Sequence, residues 1–274
     1  MGVINTTPDS FSDGGRLAAG DPSGGFSVSV DSALRHAERL VREGADILDV
    51  GGESTRPGAA PVSAEEELDR VIPVLEAITA ALDVPVSVDT SRPEVIRAAA
   101  GAGAVLINDV RALQLEGALQ AIAGTGLSVC LMHMQGQPST MQNDPDYRER
   151  DVLDAVQDFL RQRVDCARRA GIAAERICID PGFGFGKTPE HNFRLLKHLD
   201  ILADMGYPVL VGMSRKSMIG HATGRPVGER VAGSVAAAVV AVMKGATIVR
   251  CHDVAETVDA LQVCRAVYRE GANR

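Results

Sequence analysis

Tryptophan is absent, and aromatic residues fill only 3% of the 274 positions, so the placement of each one carries weight. Three of the six phenylalanines, Phe11, Phe183 and Phe185, lie in Gly-rich loops where no core is expected to need them, which points to a flat ligand. No apolar run reaches the roughly 18 residues that would span a bilayer. The opening M-G-V-I-N lacks the basic and apolar zones of a signal peptide. No block of lysine and arginine stands out and the net charge is −8, which argues against nucleic acid and membrane surfaces as partners. The five cysteines (Cys130, Cys166, Cys178, Cys251 and Cys264) have no zinc-type spacing. They read as reduced packing residues of a cytoplasmic protein. There is no Ser-His-Asp order, Walker loop or G-x-G-x-x-G; the G-F-G-F-G at 182–186 has the wrong spacing for a dinucleotide.

What is present is a repeated junction. Ile177, Cys178 and Ile179 lead into Asp180, and then a proline and three glycines stop regular structure before Lys187. The same strand-then-polar-loop pattern follows Asp46–Val50 (G-G-E-S-T-R-P-G), Val86–Val88 (Asp89) and Val105–Ile107 (Asn108-Asp109). It returns after Val209–Val211 (G-M-S-R-K-S) and Thr247–Val249 (Arg250-Cys251-His252). With a short run at Gly2–Ile4 and another at Leu127–Met132, that makes eight strands. Helical spacing alternates with them over 30–42, 63–82, 93–102, 116–123, 151–170, 189–205, 228–244 and 255–268, and Ser63 with Glu66 forms a capping box. No linker or composition shift divides the chain. One α/β domain over 1–274, a (β/α)8 barrel with extended loops after strands 1, 2 and 5, is the economical solution. A doubly wound open sheet also fits the alternation, but it gathers ligand at one switch point and has no need of polar residues after nearly every strand. Residues 16–29 read as a mobile loop. The short first strand implies either a barrel open at that edge or a start upstream of Met1.

The strand-end residues sort by chemistry. Asp89, Asn108, Asp180 and Lys216 offer acceptors and donors suited to a small heterocycle carrying amide and amino groups. Arg56, Arg250 and His252 suit a di-anion, and Asn5 offers a neutral oxygen to Mg2+. Each also has an ordinary explanation. Asp89, Asn108 or Asp180 could cap a turn, Arg250 could pair with Asp253 or Glu256, and Lys216 could be a solvated loop lysine. His133, at the end of strand five, stands evenly between site and core.

The motifs themselves resemble a known family. M-G-V-I-N-T-T-P-D-S-F-S-D-G-G and D-V-G-G-E-S-T-R-P-G are similar to two signatures of the dihydropteroate synthases. S-V-D-T, I-N-D-V, D-P-G-F-G-F-G-K-T, G-M-S-R-K-S and R-C-H-D resemble the rest, in order. The resemblance implies a TIM barrel that condenses 6-hydroxymethyl-7,8-dihydropterin diphosphate with 4-aminobenzoate, releasing diphosphate, with Mg2+ required and sulfonamides as competitors. By the same resemblance Asp89, Asn108, Asp180 and Lys216 hold the pterin and Arg250 stacks on it. Thr55, Arg56, Arg250 and His252 face the diphosphate, and Asn5 meets the metal. Phe11, Pro57, Phe183 and Ser217 line the 4-aminobenzoate site, and the protein is a homodimer through its last helices. Thr6 stands where the family has an apolar residue. Rival readings are a methyltetrahydrofolate-dependent methyltransferase on the same barrel, a Schiff-base aldolase through Lys216, and a non-catalytic pterin-binding protein. The two anion loops, S-T-R-P-G and S-F-S-D-G-G, argue against the first and last of these.

Overall fold

The computed structural model describes residues 1–7, 18–20, 26–54, 61–137, 140–143 and 145–272. Its frame is a six-stranded parallel sheet in the order β1 (Gly2–Asn5), β4 (Leu48–Gly51), β5 (Val86–Asp89), β6 (Leu106–Asp109), β7 (Ser128–Met132) and β8 (Ile177–Asp180). A parallel pair, β9 (Leu210–Val211) and β10 (Ile248–Val249), completes it. Parallel bridges Ile179↔Val209 and Gly2↔Cys251 join that pair to β8 and β1. At those two joints the Ile179 amide donates to the Pro208 carbonyl at 2.9 Å and the Cys251 amide to the Met1 carbonyl at 3.0 Å. The eight barrel strands therefore form a closed ring, a TIM barrel, and the edge at the first strand is not open. Within residues 16–29, read from sequence as a loop, the described residues pair as two antiparallel strands, β2 (Ala18–Gly20) and β3 (Phe26–Val28); residues 16–17 and 21–25 lie outside the described residues.

The pleat explains both faces of the barrel wall. Ile4, Leu48, Val50, Val86, Val88, Ile107, Val129, Leu131, Ile177, Ile179, Val209 and Val211 belong to the large core cluster shared with the helices. Leu106, Cys130, Cys178 and Leu210 form a separate cluster with Met1 and Ile248 inside the barrel. One pleat step toward the strand C-termini from that inner layer come Asn108, Met132, Asp180 and Arg250, so polar chemistry starts directly above an apolar floor.

The helices follow their local signals. The α2 helix (Ala64–Ala81) has the full Ser63–Glu66 capping box, with reciprocal bonds of 3.0 and 3.1 Å. Thr188 caps α6 (Pro189–Lys197), and a separate turn, α7 (Leu199–Ala203), follows a break at His198 that the continuous periodicity over 189–205 hides. The sequence also misses α8 (Ser217–Thr223), a short helix directly after Lys216. The long connection after β7 is drawn together by Gln135, whose amide donates to the Asp146 carbonyl at 2.6 Å and accepts from the Asp146 amide at 2.8 Å. Thr6 is fully buried, and its hydroxyl donates to the Gly51 carbonyl at 3.0 Å, so a polar residue sits there at no loss of hydrogen bonding.

Candidate active site

The polar residues meet at the C-terminal mouth of the barrel around Arg250. Its Nε donates to Asp49 Oδ2 at 2.6 Å and its Nη2 to Asp89 Oδ2 at 3.1 Å. Asn108 donates its amide to the same Asp49 oxygen at 3.2 Å. Arg250 is therefore paired inside the barrel mouth, and Asp253, one of its alternative partners, is taken by Arg215 at 3.0 Å. Four residues from β4, β5, β6 and the end of β10 thus share one network, and parallel register sets their heights: Gly51 lies beside Asp89, and Asp89 beside Asn108.

Electrostatics in this network are strained in a useful direction. Burial pushes the Asp89 carboxyl up to about 7; Arg250 pulls it back and the Asp49 carboxylate pushes it up again. Burial likewise raises Asp180, against the Gly182 amide and the Lys216 and Lys187 charges. Burial lowers Lys216 to about 8, with Asp180 pulling it back up. Burial alone would lower Arg250, but Asp49 and Asp89 more than offset it. Two acceptors, Asp49 Oδ1 and Asn108 Oδ1, are buried and lack a hydrogen-bond partner among the described residues. A buried acceptor left without a donor is costly, so a ligand with N–H groups would relieve both.

Asp180 does not cap α6. It accepts from the Gly182 amide at 2.7 Å, inside the loop that follows its own strand. Lys216 is no solvated lysine: its ammonium donates to the Phe183 carbonyl and lies 4.4 Å from the centroid of the Phe185 ring. Phe183 itself is 0% exposed and belongs to the main core, so the loop does place one aromatic where packing needs it. Phe185, half-buried under Lys216, is the aromatic nearer the charged residues. His252 approaches Ser214, its Nδ1 3.0 Å from the hydroxyl. Ser217 is exposed at the start of α8, and Asn5 is half-buried on the lip of β1. Thr55, Arg56, Pro57 and Phe11 lie outside the described residues. His133 turns away from this cluster: it is buried edge-on to Phe159, with ring centroids 5.0 Å apart, and contacts Lys187.

Two residues escaped the sequence reading. Asp49 lies in the middle of a strand, and its signal was an acid inside the apolar run I-L-D-V. Lys187 had no distinguishing signal at all beyond its place after three glycines. Among the described residues no group of three His, Cys, Asp or Glu could hold a metal ion, and no helix is long and apolar enough to cross a membrane. All five cysteines are free thiols.

Comparison with known proteins agrees with this geometry. A family model described as "Pterin binding enzyme" matches residues 1–252. The chain is 52% identical over 274 residues to the dihydropteroate synthase of Escherichia coli (strain K12), covering 100% of this chain and 93% of that one. It superposes with a TM-score of 0.92 on the Yersinia pestis dihydropteroate synthase solved as a sulfonamide drug complex, at 52% identity, covering 98% of this chain and 94% of that one. It also matches the Xanthomonas albilineans dihydropteroate synthase solved with 4-aminobenzoic acid, at a TM-score of 0.88 and 52% identity, covering 98% and 92%. With the family model spanning most of the sequence and relatives at this identity along its whole length, the chain belongs to the pterin-binding enzymes, in the dihydropteroate synthase family.

Proposed function

We propose that the chain is a transferase that joins 6-hydroxymethyl-7,8-dihydropterin diphosphate to 4-aminobenzoate, giving 7,8-dihydropteroate and diphosphate in folate biosynthesis. The observation that carries this reading is the buried acceptor set, Asp49, Asn108, Asp89 and Asp180, closed on one side by Arg250 and on the other by Lys216. A pterin presents amino and ring N–H groups to the acids and a carbonyl oxygen to the lysine. Arg250, planar and already held flat by two carboxylates, can lie against the heterocycle while its free edge faces the diphosphate. By the family resemblance His252, Thr55 and Arg56 are assigned to the anion side and Phe11, Pro57 and Ser217 to the arylamine, while the buried Phe183 ring contributes through its packing.

The reaction suits a dissociative path. The C–O bond to the pterin methylene breaks and its electron pair leaves with the diphosphate, stabilised by the cationic side chains. The methylene cation left behind is stabilised by Asp89 and Asp180. The arylamine nitrogen then forms the new C–N bond and gives up a proton to solvent. No activated nucleophile is required, in keeping with the lack of a triad. Asn5 fits Mg2+ in one respect: it is a neutral oxygen donor on the barrel lip, suited to an ion that takes most ligands from phosphate and water. When bound, the ion would supply charge to the leaving diphosphate. A homodimer is supported by exposed apolar side chains on the last two helices, Val240 and Met243 on α9 (Val231–Met243), and Val263, Val267 and Tyr268 on α10 (Val254–Ala272). Five free thiols support a cytoplasmic home.

Diphosphate release measured with both substrates and Mg2+ tests the activity. Release that depends on 4-aminobenzoate, and that a sulfonamide competes away, is the expected result. Release independent of the arylamine, or none at all, would leave a pterin-binding protein without this activity.

A further inference from the structure

The loop between β8 and α6 is held by its backbone to an unusual degree. The Gly182 amide donates to Asp180 at 2.7 Å, and the Gly184 amide to Asn192 Oδ1 at 2.7 Å. The Phe183 carbonyl accepts from Lys216 and the Gly184 carbonyl from Gln142. The carbonyls of Gly182 and Phe185 both accept from one group, the Lys187 ammonium, each at 2.9 Å. That same nitrogen is 2.9 Å from His133 Nδ1 and 3.3 Å from the His133 carbonyl.

Lys187 is only 2% exposed, yet among the described residues no carboxylate lies at hydrogen-bond distance of its nitrogen. An ammonium has three donors, and four acceptors already converge on them, so none is left over for a ligand. Burying a cation this way is expensive unless its donors are fully used. Here they are used to cross-link the loop after β8 to the end of β7. Burial lowers the Lys187 pKa well below its usual value, with Asp180 pulling it back up, and burial and the adjoining Lys187 charge both lower that of His133. Which nitrogen donates in the 2.9 Å contact between them depends on the His133 tautomer.

We propose that Lys187 is a positioning residue. From behind the loop it holds Gly182 by its carbonyl, on the residue whose amide orients the Asp180 carboxylate, and it fixes the turn whose Phe183 carbonyl anchors Lys216. The two lysines flanking the same loop therefore divide the work: Lys216 faces the ligand, and Lys187 shapes what the ligand meets. This inference rests on the reading of Asp180 and Lys216 as pterin-holding groups.

The test is calorimetric titration of 6-hydroxymethylpterin into wild-type protein, Lys187→Met and Lys187→Gln, without arylamine, beside melting curves and the pH profile of kcat. Lys187→Met should lose about tenfold or more in pterin affinity, the loss expected when a charged hydrogen bond that sets the site is removed. Lys187→Gln, which keeps amide donors for the two carbonyls, should recover part of it. The shape of the kcat pH profile should be unchanged. Affinity within about twofold of wild type in folded Lys187→Met would overturn the proposal, since the smallest bond at issue is worth more than that. So would a lost limb of the pH profile with affinity intact, because that would make Lys187 a proton-transfer group. Failure of both variants to fold would assign Lys187 to the core and overturn it as well. A wild-type protein that does not bind the pterin would instead overturn the functional reading beneath the inference.

Discussion

Two layers of the same barrel, one pleat step apart, behave as opposites. The lower layer, Leu106, Cys130, Cys178 and Leu210, is apolar and tightly buried. The layer above it, with Asn108 on β6, Asp180 on β8 and Arg250 just past β10, is charged, and its Asn108 Oδ1 has no partner among the described residues. The strands do not differ; the distance from the ring's closed end does. A floor that gains free energy on burial lets the layer above it hold charges whose own burial is unfavourable. Stability and ligand recognition are thereby separated along one axis, as expected when the strand C-termini carry the chemistry.

That separation can be broken from either side. Leu210→Ala opens a cavity in the lower layer and should cost about 2–5 kcal/mol of stability, while KM for both substrates stays within twofold by about the same reasoning of rigid, separate layers. Chemical denaturation with parallel kinetics checks it, and a large KM change would show that the two layers are coupled. Asp180→Asn should do the reverse. Replacing a paired acceptor by an amide that presents a donor should cost about ten- to hundredfold in pterin affinity, with the melting temperature unchanged or higher, because a buried carboxyl whose pKa is raised by burial has been removed. Arg250→Lys keeps the charge but loses the fork that bonds Asp49 and Asp89. Turnover should fall about tenfold or more, and near-wild-type rates would mean that the planar group is dispensable.

The smallest expected effect at neutral pH lies behind the site. Burial and the Lys187 charge lower the His133 pKa from 6.5 to about 2, so the unfolded chain takes up a proton at pH 5 that the folded chain refuses. Stability from this group is complete above 6.5 and drains away as pH falls toward about 2. The slope is at most about 1.4 kcal/mol per pH unit. Denaturation at a series of pH values should show the slope in the wild type and a shallower one in His133→Gln. Equal slopes would place the acid sensitivity elsewhere.

Much of this was legible in the sequence because the signals were local. Asp89, Asn108, Asp180 and Arg250 each follow a short apolar run directly, Lys216 stands in the loop just after one, and Ser63 and Glu66 sit at capping distance. What stayed hidden depends on closure. Asp49 meets Arg250 across 201 positions of sequence, and nothing near it announces that its side of β4 faces the barrel interior. Lys187 looks like any loop lysine, since lysines are seldom buried, until the carbonyls that surround it are placed. From sequence Phe183 reads as a ligand-facing aromatic because its neighbours are glycines, but those glycines let the loop fold the ring inward. The break at His198 left the apolar period unbroken, so periodicity could not show it.

The contact between the loops after β7 and β8 bears on how this protein can change under selection by a drug. A side-chain carbon at Gly182 would lie 1.9 Å from the His133 carbonyl oxygen, and one at Gly186 would lie 2.4 Å from that of Gln135. Both glycines also hold positive φ, 68° and 63°, where other residues are strained. In each case the nearest obstacle is a neighbouring backbone carbonyl, which no compensating side-chain change nearby removes. An inhibitor that packs against the loop of residues 182–186 would press on positions where escape mutations also damage the enzyme. One that leans on exposed Ser217 meets a site far freer to vary.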